Sequence, residues 1–256
     1  MGNFIIGYDF ASYTIKSFSD ENSNYPSSNL KLYSHLRRCA QTNTTAELTI
    51  VLDFSSALAA VGVMLDDVNF ASAYVAGHTS DSWADPDFPE QAITIGEDDR
   101  VGRYKAHVAL AAFNYRYMRV RVPNQAATDG AGAFRIGRLV ILDTILTLAQ
   151  NPAYGYDTKV DSPVRVNDFI SGGHESVELG DYLEWSGSFS WNAISDANLD
   201  DVTDISLIRK NRPIVFYENA GDTSRVYVCR REESVMVTSK GPGIFQASTH
   251  KLREII

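Results

Sequence analysis

The chain has few of the residues that most often build metal or redox sites. Its 256 residues include only two cysteines and five histidines. Cys39 and Cys229 lie far apart in the sequence, in no metal-binding or redox spacing, and no two histidines have the spacing of metal ligands. We therefore expect two free thiols, in a protein assembled in a reducing compartment, and neither a metal nor a cofactor.

Motifs of the common catalytic classes are also missing. The chain has no Gly-x-Ser-x-Gly elbow, no His-Glu-x-x-His helix, no Walker loop and no Cys-x-x-Cys pair. Acidic pairs such as Asp66-Asp67 and Asp98-Asp99 are expected to lie in solvated loops. Glycosidase carboxylates meet only in space, so the sequence leaves that alternative open. The missing motifs nevertheless favour a protein that is not an enzyme.

Neither a basic region nor a long apolar run is present. The formal net charge is −9, which gives no footprint for nucleic acid. No apolar run approaches the length of a membrane-spanning helix, and the first ten residues lack the pattern of a signal peptide. With 44% apolar and 21% charged residues, the composition is typical of a globular protein with a sizeable core. We expect neither nucleic acid nor a membrane as a partner.

Short strands dominate the first half of the chain. The segment YRYMRVRV, residues 115–122, places Met118 on one side of a strand and Tyr115, Arg119 and Arg121 on the other. We expect these guanidinium groups to pair with acids or to lie over aromatic rings. The alternative is a patch that faces a carboxylate or a sugar. Many such strands separated by long loops predict an all-β sandwich or jelly roll.

The second half combines strands with one helix. Residues 146–163 are predicted to form a connector, and the segment GDYLEWSGSFSW alternates as a half-buried strand. The segment SDANLDDVTDISLIRK, residues 195–210, predicts a helix that begins at Ser195, because its apolar residues recur at three-residue steps. We therefore expect two domains, residues 1–145 and a smaller β-rich domain over residues 146–256.

Five segments occur in an order that resembles a known fold family. That order is similar to the galactose-binding-like (discoidin-type) jelly roll, in the version found in tail proteins of bacteriophages and prophages. The segments are YPSSNL (25–30), TIVLDF (49–54), VGVMLDDVNFASAYVAGHTSDSW (61–83), YRYMRVRV (115–122) and FRIGRLVIL (134–142). The helix, the hairpins after it and the closing Leu252, Glu254 and Ile255 are similar to the oligomerising β-domain of phage tail-tip proteins.

This resemblance implies a structural protein of the virion. It implies a distal-tail or baseplate component, assembled in the cytoplasm of the host bacterium, that forms a homo-oligomeric ring. Six-fold symmetry is favoured and three-fold is the alternative, and the ring would connect the tail tube to hub and fibre proteins. A carbohydrate-binding module that recognises a host cell-surface glycan is the alternative function.

One loop supplies candidates for sugar binding. The loop HTSDSWADPDF carries Trp83, His78 and Asp81, and an aromatic ring among polar side chains on the rim of a sandwich is a common way to hold a sugar. The carboxylates of Asp81, Asp85 and Asp87 are a candidate calcium site, but the run lacks the glycine and the closing glutamate of an EF-hand. A solvated acidic loop is the simplest interpretation.

The candidates for a subunit interface lie in the second half. They are Trp185, Trp191, Arg212 and Tyr217. Aromatic residues and arginine are enriched in interfaces between proteins. The tryptophans are also expected in the core of the second domain, and the sequence leaves the two interpretations open.

Overall fold

The computed structural model describes residues 5–31, 39–147, 157–161, 164–168, 174–178, 184–208, 212–218, 222, 224–233 and 236–255. The chain divides into two compact units. The first consists of Met1–Asp98, Arg103–Leu148 and Ile214–Val228, and the second of Asp99–Gly102, Ala149–Pro213 and Cys229–Ile256. Most of the predicted connector, residues 146–163, lies outside the described ranges.

Strands make up most of the described chain. In chain order they are β1 (Ile5–Phe10), β2 (Thr14–Phe18), β3 (Ala40–Gln41), β4 (Leu48–Leu58), β5 (Gly62–Val68), β6 (Ser72–His78), β7 (Phe88–Thr94), β8 (Gly96–Asp98), β9 (Arg103–Ala109), β10 (Tyr115–Val122), β11 (Arg135–Thr147), β12 (Asp157–Asp161), β13 (Val164–Asp168), β14 (His174–Glu178), β15 (Glu184–Ser195), β16 (Ile214–Tyr217), β17 (Val226–Arg231), β18 (Val237–Gly241) and β19 (Ile244–Glu254). A 3-10 helix spans Ser27–Lys31, and α1 spans Asp196–Leu207.

The first unit is a sandwich of two antiparallel sheets. One sheet has the order β2-β4-β10-β6-β7, and the other runs β16-β1-β11-β5-β9-β8 with β3 on β11. Period-two alternation turns one side of each central strand inward. Leucines and a methionine from both sheets therefore meet in one core at 0% exposure: Leu52, Met118, Leu65 and Leu139. This shared apolar layer holds the sandwich together.

The second unit is also built mainly from strands. Its described sheet has the order β12-β15-β19, with β18 and the Cys229–Arg231 part of β17 on the other side of β19, and β13 and β14 form a separate hairpin. Helix α1 begins after Ser195, as predicted, and buries Val202 and Ile205. It ends at Leu207, before the end of the predicted segment. The predicted fold class, all-β with one helix among the described residues, is confirmed.

Two segments fall on the other side of the predicted boundary at residue 145, since Asp99–Gly102 belongs to the second compact unit and Ile214–Val228 to the first. Strand β16 pairs antiparallel with β1, with Ile5 opposite Tyr217, so Ile214–Val228 belongs to the first unit. Lys105 of β9 also holds this segment, because its Nζ donates to the Val226 carbonyl at 3.2 Å and lies 4.0 Å from the centre of the Tyr227 ring. Periodicity shows that a segment is a strand but not which strand it joins.

Charged residues are buried in the first unit, contrary to expectation. The prediction that Asp66, Asp67 and Asp98 lie in solvated loops is wrong, since they are 0%, 3% and 1% exposed. The Asp66 carboxylate lies 3.8 Å from a guanidinium nitrogen of Arg103 and 3.6 Å from one of Arg138. Removing one partner of a buried ion pair is costly, because the remaining charge has no water to solvate it.

Gly77 of β6 is required by close packing in the first unit. A Cβ at this position would lie 2.4 Å from Cε2 of Phe113. The Phe113 ring cannot move aside easily, because it packs against the rings of Phe54, Phe88 and Tyr115. We expect Gly77→Ala to lower the free energy of unfolding by about 1–3 kcal/mol, measured by urea titration. Equal stability of Gly77→Ala and the wild type would contradict this packing.

Gly132→Ala is the matched control for that substitution. An added Cβ at Gly132 has no heavy atom within 4 Å. The same change of residue type therefore creates no overlap there, and we expect the free energy of unfolding to stay within about 0.5 kcal/mol of the wild type.

Candidate functional site

The candidate site lies on the outer face of the five-stranded sheet in the first unit. In β10, Met118 and Val120 turn into the core at 0% exposure, and Arg119 and Arg121 point to the other face. In the register, Arg119 lies opposite Val51 of β4 and Ala76 of β6. These neighbours carry no charge, so the guanidinium group must find its partners elsewhere on the face.

The two arginines share one carboxylate, that of Glu90. Arg121 donates two hydrogen bonds to Glu90, at 2.8 and 2.6 Å, and a third to Glu47 at 3.2 Å. Arg119 donates to Glu90 at 2.9 Å. The guanidinium of Arg121 also lies 4.7 Å from the centre of the Tyr74 ring. The expectation that these groups pair with acids and lie over aromatic rings is confirmed.

The alternation of inward-facing and outward-facing side chains is interrupted at the start of β10. The register between β10 and β4 shifts between Tyr115 and Tyr117. As a result, Arg116 donates to Asp53 on the outer face at 2.9 and 3.0 Å, while Tyr115 packs against the core. The predicted position of Tyr115 beside the arginines is therefore wrong, because an irregularity in pairing reverses the faces on either side of it.

Residues 79–87 form the rim loop between β6 and β7, and this loop brings the three predicted sugar-binding residues together. The indole Nε1 of Trp83 donates to Asp81 at 2.8 Å, and the Trp83 ring centre lies 6.4 Å from that of His78. Lys16 of β2 pairs with Asp81 at 2.8 Å. The Arg119 guanidinium lies 4.9 Å from the centre of the Trp83 ring and ties the loop to the sheet.

Two carboxylates of the rim loop, those of Asp81 and Asp87, are held in their ionised form. The hydrogen bond from Lys16, followed by that from Trp83, lowers the pKa of Asp81. The backbone and side-chain hydrogen bonds from Thr79 lower the pKa of Asp87. Both carboxylates already accept hydrogen bonds from the chain itself, so they orient the loop as well as give it a negative charge.

A shallow groove of about 490 Å³ runs between the rim loop and β10. Its walls combine flat apolar rings with charged groups, which is suited to a hydroxyl-rich ligand that stacks and accepts hydrogen bonds. The lining residues are Glu47, Trp83, Ala84, Asp85, Pro86, Pro89, Glu90, Arg119 and Arg121. No group of three possible metal-binding side chains occurs among the described residues.

The predicted interface residues divide into buried and exposed ones. Trp185, Trp191 and Tyr217 are 0%, 1% and 2% exposed, so they present almost no surface to a partner. Trp191 packs on the ring of His250 within the second unit, with 5.0 Å between ring centres. Arg212 is exposed. The structure therefore gives the two tryptophans a place in the core of the second unit, and a subunit interface remains a prediction.

Two exposed apolar residues were missed in the sequence. Met236 is 67% exposed and Ile244 is 49% exposed, at the two ends of the hairpin formed by β18 and β19. The strand pattern around Met236 indicated a strand but not which of its sides faces solvent. A signal for Ile244 was available in the Gly241-Pro242-Gly243 turn, which places this residue at the tip of a hairpin.

Comparison with known proteins assigns the chain to no family. No protein-family model and no curated protein matches the chain. Several of the solved structures that match the chain cover about half of it. Reduced XRCC1 bound to the DNA polymerase beta catalytic domain is 12% identical, with 52% of this chain and 97% of that chain covered and a TM-score of 0.42.

Two further solved structures are sugar-related. The lectin binding domain of Lectinolysin complexed with Lewis b is 11% identical, covering 52% of this chain and 92% of that one, with a TM-score of 0.36. CBM32-1 from a family 31 glycoside hydrolase of Clostridium perfringens is 8% identical, covering 51% and 94%, with a TM-score of 0.38. All three TM-scores are below 0.5, so these likenesses carry no argument for function.

Within the described ranges, no helix combines the length and the apolar composition that crossing a bilayer requires.

Glu90 makes the stability of the outer face depend on pH. Hydrogen bonds from Arg121 lower the pKa of Glu90 below its usual 4.5, so its ionised form stabilises the folded state above that pH. This stabilisation is lost as the pH falls through the lowered pKa. We expect Glu90→Gln to reduce the free energy of unfolding at pH 7 by up to about 1 kcal/mol. The difference from the wild type should shrink below pH 4.5, as measured by urea titration.

Asp85→Asn is the matched control for Glu90→Gln. Asp85 is exposed on the same groove and makes no ion pair with the described residues. Its substitution should leave the stability unchanged at both pH values. A difference between Glu90→Gln and the wild type that stays constant from pH 7 to pH 3 would contradict the role assigned to Glu90.

Proposed function

We propose that the chain is a structural subunit of the tail tip or baseplate of a tailed phage, where copies of it form a closed ring. The ring has six-fold symmetry, or three-fold as the alternative, and connects the tail tube to hub and fibre proteins. The protein is assembled in the host cytoplasm, acts in the virion and catalyses no reaction. The order of motifs that resembles phage tail proteins supports this proposal.

The proposal of a ring rests on two strand edges of the second unit that have no second partner among the described strands. Among the described strands, β12 pairs only with β15, and β18 pairs only with β19. Met236 and Ile244 add exposed apolar surface beside β18. Unpaired strand edges and exposed apolar residues favour association with another chain. Because β12 and β18 are different surfaces, their contacts repeat from copy to copy and must close to avoid a filament.

The proposed ring is tested by measuring the mass of the purified chain. Mass photometry and negative-stain microscopy should show closed rings. We expect Met236→Lys to raise the dissociation constant about tenfold or more, because it places a charge where an apolar side chain is covered. Tyr25→Lys is the control, since Tyr25 is an exposed aromatic of the first unit at 43% exposure. A wild-type chain that stays monomeric at high concentration would rule out the ring.

Binding of a host cell-surface glycan is the second candidate function. The observation that favours it is the groove, where the Trp83 indole and two prolines lie beside carboxylates and guanidinium groups. Sugars are held by stacking on aromatic rings together with hydrogen bonds from polar side chains. The contact between Trp83 and Arg119 limits this role, because the guanidinium occupies part of the indole surface.

A glycan array tests this second function. The wild-type chain should bind a defined set of glycans, and Trp83→Ala should lose at least about tenfold in affinity, because the stacking surface is removed. Tyr25→Ala removes an exposed aromatic outside the groove and should bind like the wild type. Equal binding by Trp83→Ala and the wild type, or no bound glycan at all, would exclude the groove as a sugar site.

A further inference from the structure

The free edge of β18 has a defined set of backbone groups. The Met236 carbonyl accepts a hydrogen bond from the Ser248 N–H at 2.9 Å, and Thr238 lies opposite Gln246. In an antiparallel pair, successive residues alternate between bonding inward and pointing outward. The N–H and C=O groups of Val237 and Ser239 are therefore directed away from β19, at an edge where no described strand receives them.

The opposite edge of the same sheet is β12. In the strand order β12-β15-β19, β12 is the end strand, and β18 lies on the other side of β19, whose far end pairs with Cys229–Arg231 of β17. Strands β12 and β18 are both five residues long. A strand edge of one copy therefore matches in length the edge that a second copy offers on its other side.

Formal charge distinguishes the possible pairings. The sequence DTKVD of β12 carries a net charge of −1, from two aspartates and one lysine, while VTSKG of β18 carries +1 from Lys240. Pairing β18 with β12 brings opposite charges together. Pairing two copies of β18, or two copies of β12, opposes like charges, which destabilises strands that lie directly opposite each other.

We propose that β18 of one copy pairs edge to edge with β12 of the next copy, so that the sheet of the second unit continues around the ring. This inference rests on the proposed ring and specifies its contact. The outward groups of Val237 and Ser239 then bond to the neighbouring β12, and Met236, the residue before β18, is covered. The contact is head to tail, which is the geometry that a closed ring of identical copies requires.

Proline at position 239 tests the contact at a single backbone group. Ser239→Pro removes an outward N–H, and proline is tolerated on an edge strand where its nitrogen faces away from the paired strand. We expect monomers, or a dissociation constant raised about tenfold or more, in mass photometry. Ser239→Ala changes the same side chain, keeps the N–H and should form rings like the wild type. Far-UV circular dichroism of both variants checks that the fold is retained.

A charge exchange gives a second test that does not depend on proline. Lys240→Glu reverses the charge of β18 and should weaken the ring. Adding Asp161→Lys reverses the net charge of β12 from −1 to +1 and should restore it. Hydrogen exchange adds a direct readout, because the N–H groups of Val237 and Ser239 should be protected only when the chain is assembled.

The results of these experiments distinguish a wrong β18–β12 contact from a wrong proposal of the ring. Wild-type rings that persist in folded Ser239→Pro, or that Lys240→Glu leaves unchanged, would overturn the pairing of β18 with β12 and leave the ring standing. A monomeric wild type would overturn the proposed function itself. If Ser239→Pro does not fold, the charge exchange decides, and weakening without restoration by Asp161→Lys counts against β12 as the partner.

Discussion

Strand β1 pairs with β11 along one edge and with β16 along the other. A strand carries backbone donors and acceptors on both edges, and leaving them without partners away from water costs free energy. This requirement brings Ile214–Val228 back to the first unit, although about 70 residues separate it from the end of β11. The same requirement applies to the outer edges of β12 and β18, with which no described strand pairs. In the proposed ring, a strand of another copy supplies the hydrogen-bond partners for these edges.

The outer face of the five-stranded sheet shows how charge is accommodated on a sandwich. Arg119 and Arg121 share Glu90, and the rim loop is tied to the same face through Trp83 and Arg119. Most polar groups of the groove are thus engaged within the chain. Because the charges of this face are already paired, a ligand must compete with existing contacts to bind there.

The degree to which the sequence predicted this structure depends on the feature. The alternation of β10 placed Met118 and Arg119 on the correct faces but failed at Tyr115, because a shift in register is not encoded in a period of two. The prediction of helix α1 from its N-cap residue and from the spacing of its apolar residues was correct. Asp66 resembled a surface acid, because its partners Arg103 and Arg138 lie on other strands. The rim-loop candidates Trp83, His78 and Asp81 do meet, since they are near one another in the chain.

The order of amino acids was sufficient for the strand-rich class, the helix and the apolar side of each central strand, because these depend on local periodicity. Which strands become neighbours, which charges are buried and which edges stay open are properties of the folded chain. They arise from contacts between distant segments, such as Ile5 with Tyr217 or Lys105 with Val226. The burial of Trp185 and the exposure of Met236 are also decided by the folded chain. The sequence alone does not distinguish an apolar side chain in a core from one on a surface, because the difference depends on its neighbours in space.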